Sequence, residues 1–183
     1  MGAQSRTLVV LSMVAAGLAT SSWFAAHKTG DSTQSGGVGA PQQVRSAQVW
    51  ESRLPGLDNR EQALRQWRGK VMVLNFWATW CPPCLREIPG FKRLQQHLGP
   101  HGLQIVGVAL DDADKARAFA TRMDMPYPVL LGGVAAMDLG RAAGNPLGGL
   151  PYTAVFDRQG RCVATQVGEM PEARLRAIVE PLL

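Results

Sequence analysis

Two cysteines separated by two residues, Cys81 and Cys84 in Trp80-Cys81-Pro82-Pro83-Cys84, are the side chains of this sequence best suited to chemistry. At that spacing one sulfur can reach the other, so the pair can close an intramolecular disulfide and reopen it through a mixed disulfide. A nearly all-apolar run, Val71 to Ala78, precedes the pair. After it, Leu85, Ile88, Phe91, Leu94 and Leu98 recur at three- and four-residue intervals, the pattern of an amphipathic helix. A sulfur at the junction of strand and helix lies near unpaired backbone N–H groups and the positive helix end, which favour thiolate over thiol. Cys81, ahead of the helix, is therefore the expected exposed nucleophile, and Cys84, one turn inside, the expected resolving thiol. Pro82 and Pro83 remove two backbone donors and stiffen the turn between them. Trp80 adjoins the nucleophile and is a candidate docking residue, whereas Trp77 reads as core.

The remaining chemistry-bearing residues point elsewhere than to metal. Cys162 stands alone near the C-terminus and reads as a small apolar core residue. A structural zinc site takes about four Cys or His ligands, and His97 and His101 fall on the far side of the predicted helix from the cysteine pair. No metal and no cofactor are expected. The formal charge is +5, but the basic residues scatter from Arg45 to Arg176 without forming a block, so nucleic acid is not an expected partner.

The elements that must position the pair can be read from periodicity. Val71 to Ala78 is a short apolar run between Gly69-Lys70 and Cys81-Pro82, which predicts a central strand covered on both faces. Asn75 is its single polar member. Pro89 falls inside the following helix and is expected to bend it. Leu103 to Leu110 and Val129 to Leu131 read as further strands, with helices at Asp112 to Met123 and Val134 to Ala143. Thr153 to Phe156 and Cys162 to Val167 flank the turn Asp157-Arg158-Gln159-Gly160 as a hairpin. Pro171 and Glu172 open a last helix with Leu175, Ile178, Val179 and Leu182 on one stripe. Upstream, Val49, Trp50, Leu54 and Leu57 with a turn at Asp58-Asn59 read as a short extended pair, and Ala63 to Trp67 as a helical turn. The whole is an α/β fold: a central mixed β-sheet flanked by helices, with a short N-terminal extended pair.

Three segments divide the 183 residues. Residues 1–28 carry Arg6 ahead of an apolar run from Leu8 to Ala26, close to the ~20 residues that span a bilayer. Small polar residues at 20 to 22 also resemble the cleavage end of a signal peptide, so a signal-anchor and a cleaved signal stand side by side. Either one exports the rest of the chain. Residues 29–46, rich in Gly, Ser, Gln and Thr, read as a flexible linker, and 47–183 as one folded domain.

The stretch Leu74-Asn75-Phe76-Trp77-Ala78-Thr79-Trp80-Cys81-Pro82-Pro83-Cys84-Leu85-Arg86-Glu87 resembles the active-site segment of the TlpA-like membrane-anchored thioredoxins, which include the ResA and CcmG reductases of cytochrome c maturation. The likeness runs from about Leu54 to the C-terminus and takes in Gly69-Lys70, Pro89 and Gly149-Leu150-Pro151-Tyr152-Thr153. It implies a thioredoxin-like fold in which Pro151 is a cis-proline that, with Leu150, faces the disulfide and shapes the groove for a partner chain. Trp80, Pro82 and Pro83 would border the same groove. Cytoplasmic thioredoxins carry a buried aspartate where this chain has Asn75, and an amide cannot take a proton from the resolving thiol. Glu87 follows Cys84 by three residues on the same helix face, where a partly buried carboxylate with a raised pKa could exchange that proton; the matching glutamate of the ResA-like branch is proposed to do so.

The resemblance also implies a setting. The protein would face the periplasm, anchored in the bacterial inner membrane or soluble after signal cleavage, and reduce disulfides of exported proteins such as apocytochrome c. A membrane thiol-electron donor of the DsbD or CcdA kind would resupply it. Two alternatives stay open. One is a disulfide-forming oxidant that uses the same pair in reverse. The other is a copper(I) metallochaperone, against which stands the lack of an obvious additional Cys, His or Met ligand nearby.

Overall fold

The computed structural model describes residues 45–183. The expected signal segment and residues 29–44 of the expected linker lie outside the described residues. Among those described, no helix is long and apolar enough to cross a membrane.

The all-apolar run after Lys70 forms strand β3 (Val71–Trp77), every residue of which is buried. It pairs in parallel with β4 (Leu103–Ala109), and β4 pairs in parallel with β5 (Val129–Leu131). On its other side β3 pairs antiparallel with β6 (Tyr152–Phe156), which forms a hairpin with β7 (Cys162–Val167). The resulting order, β5-β4-β3-β6-β7, is the mixed sheet expected, with β3 at its centre. Strands β3, β4 and β6 are covered on both faces, which is why they read as continuous apolar runs rather than alternating ones.

One face carries α2 (Pro82–Leu98), α3 (Ala113–Arg122) and α5 (Glu172–Val179). Phe91 and Leu94 of α2 pack there with Val71, Val73, Ile105 and Leu175. The opposite face carries α4 (Gly133–Ala142) together with α1 (Ser46–Glu51), packed on Met72, Leu74, Phe76 and Val108. Helix α2 runs unbroken through Pro89.

The extended pair is present but shifted. It consists of β1 (Arg53–Pro55) and β2 (Glu61–Ala63), joined by a turn through Asp58 and Asn59, and a single 3-10 turn at Leu64–Trp67 follows. Val49 and Trp50, read from the sequence as extended, instead belong to α1. The reason is tertiary. Both side chains are fully covered, the Trp50 indole N–H donates to Gly160 O at 2.8 Å, and its ring meets Phe156 edge-on. A six-residue helix has too few turns to announce itself by periodicity and is stabilised by such packing.

Candidate active site

The junction of β3 and α2 is built by capping. A turn closed by Cys81 N–H to Ala78 O at 3.3 Å carries the chain out of the strand. Cys81 is the N-cap of α2, and its sulfur accepts from Cys84 N–H at 3.4 Å. Pro82 and Pro83 fill the first helical positions, where an N–H would have no intrahelical acceptor, so the two prolines open the helix without weakening it. Cys81 and Cys84 are joined as a disulfide with Cα atoms 5.3 Å apart. Cys81, expected to be exposed, is instead buried in this disulfide at 4% exposure, because it packs with Cys84 into the cluster of Ile88, Trp77 and Ala109, where Cys84 is fully enclosed. Trp80, by contrast, is 66% exposed next to Cys81.

The loop that enters the site is held by a residue the sequence reading missed. Asp111, just past the end of β4, accepts from both the backbone N–H and the hydroxyl of Thr79, at 2.7 and 2.6 Å. Partial burial raises its proton affinity, but the Thr79 bonds, a bond from Asp112 N–H and the charge of Lys115 outweigh burial and hold the carboxyl below its ordinary value. The signal for it was position alone: a carboxylate at the carboxyl end of a parallel strand next to the one that carries the cysteines. Asn145 was missed as well. Its side chain donates to Gly149 O at 2.9 Å and accepts from Gly149 N–H at 3.1 Å, which closes the loop leading to the Leu150–Pro151 peptide. That peptide is cis, as the family resemblance implies. Pro151 is buried, and Leu150 packs against the cluster that contains both cysteines. Beside this loop an apolar cleft of about 180 Å³ opens among Phe76, Leu110, Ala136, Met137, Pro146 and Leu147, the last 96% exposed.

Glu87 is only 4% exposed. Its Oε1 accepts from Asn75 Nδ2 at 2.7 Å and its Oε2 from Met170 N–H at 2.9 Å, so one carboxyl ties α2 to β3 and to the segment after β7. Asn75 Nδ2 also donates to Thr153 Oγ1 at 3.2 Å. Burial drives the Glu87 pKa up to about 7, against the lowering effect of the Met170 and Asn75 bonds and with a small further push from Glu169. Arg86, its neighbour in sequence, pairs instead with Glu169 at the surface at 2.8 Å. Cys162 lies on β7, against the cluster on the far face of the sheet, and burial pushes its thiol up to about 11, an unreactive value.

A disulfide at a helix N-terminus with a cis-proline loop beside it fits a thioredoxin-fold enzyme of thiol–disulfide exchange. The chain's likeness to known proteins agrees. The chain belongs to the Redoxin family, whose model matches residues 32–180. It is 32% identical over 126 residues to the thioredoxin-like protein YneN of Bacillus subtilis, covering 67% of this chain and 71% of that protein. It is 29% identical over 129 residues to the thiol-disulfide oxidoreductase ResA of Bacillus cereus, covering 69% and 71%. Among solved structures it resembles a thiol:disulfide interchange protein of the thioredoxin family from Chlorobium tepidum TLS, with a TM-score of 0.61, 26% identity, and 72% of this chain and 96% of that one covered.

Proposed function

We propose that this oxidoreductase works outside the cytoplasm as a dithiol reductase of exported proteins. The observation that supports the exchange mechanism is Glu87, one turn beyond Cys84, buried with its carboxyl held by Asn75 and Met170 N–H and its pKa raised to about 7; the setting and the direction rest on the apolar run of residues 8–26 and on the family resemblance. In the reduced enzyme the Cys81 thiolate attacks one sulfur of a partner disulfide. A mixed disulfide forms, and the partner's other sulfur leaves as a thiolate that takes a proton. Glu87 then accepts the Cys84 proton, the Cys84 thiolate attacks the Cys81 sulfur, and the partner's second thiolate leaves. Two electrons pass from the enzyme to the partner, and the enzyme ends as the Cys81–Cys84 disulfide. Asn75 cannot ionise, so it holds the Glu87 carboxylate rather than replacing it.

Partner docking falls to Trp80, Pro82 and Pro83 on one side and to Leu150 and Pro151 on the other. The cleft floored by Phe76 and Leu110 would accept an apolar side chain flanking the partner's cysteine. Apocytochrome c suits this role, and a membrane donor of the DsbD or CcdA kind would return the pair to the dithiol. The apolar run of residues 8–26 would hold the enzyme at the inner membrane, or, if cleaved, release it to the periplasm.

Replacing the resolving thiol tests the scheme. Cys84→Ala should accumulate partners covalently on Cys81, visible as bands that collapse on reduction, and Cys81→Ala should accumulate none. A Cys84→Ala enzyme that forms no adducts with disulfide-bonded substrates contradicts the mechanism.

A further inference from the structure

The apolar cleft beside the cis-proline loop owes its depth to a glycine that the fold does not require. Gly140 borders the cleft from inside helix α4, a place where glycine is among the poorest choices. Its backbone is helical and not left-handed, so an L side chain would suit it. A β-carbon there would meet nothing nearer than Phe76 Cε1, at 3.7 Å, an ordinary van der Waals contact. Alanine would therefore fit and would favour the helix. What glycine leaves instead is free space over the Phe76 ring, which floors the cleft.

The surroundings of that space indicate what fills it. Its rim is apolar and open to solvent, with Leu147 96% and Met137 48% exposed. Arg141, also at its border, is already paired with Asp138, so the cleft asks for an apolar occupant and not an anion. Its volume of about 180 Å³ is well below the roughly 300 Å³ or more of a drug-sized ligand site and suits a single side chain. The cleft is also continuous with the exchange site. Leu110, in its wall, donates its N–H to Trp77 O at 2.9 Å, where β3 leaves the sheet for the cysteines. Leu150 packs against both the cluster that holds Phe76 and the cluster that holds Cys81 and Cys84, and so stands between the cleft and the disulfide.

We propose that Gly140 is a specificity-determining residue, which keeps the cleft deep enough to take one aliphatic side chain of leucine size from an extended partner segment, within a few residues of the cysteine that Cys81 attacks. The proposal rests on reading the pair as a reductase of protein disulfides and names the feature of the partner that is recognised. An extended chain advances about 3.3 Å per residue, so a segment laid across Leu150 sets one side chain in the cleft while its sulfur meets Cys81. Leu147 and Met137 then cover the side chain from the rim. Gly140 touches neither sulfur and acts only by leaving room. Burial of a side chain remote from the reacting atoms holds the partner's sulfur in place for attack.

Peptides whose one cysteine carries a thionitrobenzoate group test this in single turnover with the reduced enzyme. Attack of Cys81 on the peptide sulfur releases thionitrobenzoate, whose absorbance gives the second-order rate constant, and Cys84 then displaces the peptide as its thiol. A leucine is walked through the positions flanking the cysteine in an otherwise glycine- and serine-containing peptide. At one or more of them it should raise the rate constant about tenfold or more over the leucine-free peptide. Gly140→Ala should lower that ratio about fivefold or more, with a melting temperature no lower than that of the wild type. Leu147→Ala, which truncates an exposed side chain, should lower the ratio as well, and it decides the matter where Gly140→Ala does not fold. A ratio near unity at every position in the wild type overturns the proposal, as it would if a second copy of the chain or the residues ahead of Arg45 filled the cleft. So does a folded Gly140→Ala that keeps the wild-type ratio. Failure of the underlying reading has a different signature: a reduced wild type that releases no thionitrobenzoate from any peptide contradicts the reductase itself, and this proposal with it.

Discussion

At the scale of single residues, the Glu87 carboxyl binds a proton in the fold up to about pH 7, whereas its ordinary pKa is 4.5. Between those values the folded state holds more protons than the unfolded one, so the associated stability is fully present below pH 4.5 and is lost as pH rises through about 7. The full swing is on the order of 3 kcal/mol. Glu87→Gln should flatten this part of the stability profile, as measured by urea unfolding of the oxidised enzyme across that range, and should slow the resolution of mixed disulfides. A wild-type profile that rises toward neutrality would contradict the burial of an ionisable Glu87. Asp111 has the opposite sign. Its pKa is depressed, so its contribution is present above the ordinary value of 3.8 and is lost as pH falls through the lower folded value. Asp111→Ala, which removes both bonds to Thr79, should destabilise the protein at neutral pH by about 1–3 kcal/mol. The difference from wild type should shrink in acid, and exchange should slow because Trp80 and Cys81 follow the loosened residue.

At the scale of elements, the strand, the helix and their junction were legible because each is long or strongly patterned. Seven consecutive buried positions in β3 and the three–four spacing of α2 leave little choice of structure. Helix α1 was not legible, since what makes Val49 and Trp50 helical is a bond from Trp50 to a residue 110 positions away. For the same reason the sequence offered Glu87 as a candidate but could not supply its partners: Asn75 comes from β3 and the Met170 N–H from beyond β7. Asp111 and Asn145 act only through strand register and loop closure, which no local spacing encodes. Helix α2 also makes a close contact that local propensity would misjudge. A β-carbon on Gly90 would come within 2.9 Å of Glu172 Cβ on α5. Gly90→Ala should therefore destabilise the fold by about 1–3 kcal/mol through overpacking, although alanine in an exposed helix would favour it by about 1 kcal/mol. Thermal unfolding of the variant checks this, and a raised melting temperature would mean that the two helices separate more easily than their packing indicates.

At the scale of the whole molecule, two apolar layers clamp the central sheet, and the cysteines emerge where β3 leaves it, between the loop from Asp111 and the loop closed by Asn145. This frame positions disulfide exchange in either direction. A proton carrier beside Cys84 serves exchange both ways, so the proposed reduction rests on the export segment and on Asn75 and Glu87 read through the family resemblance. Nothing in that frame distinguishes donor from acceptor of electrons by shape, so the decisive quantity is the equilibrium of the Cys81–Cys84 pair itself. Equilibration of the purified enzyme in glutathione or dithiothreitol buffers, read by thiol alkylation, gives its reduction potential. A dithiol reductase should show a value close to that of reducing thioredoxins, about −270 mV, whereas a value of about −120 mV, that of strong disulfide-forming oxidants, would contradict this role.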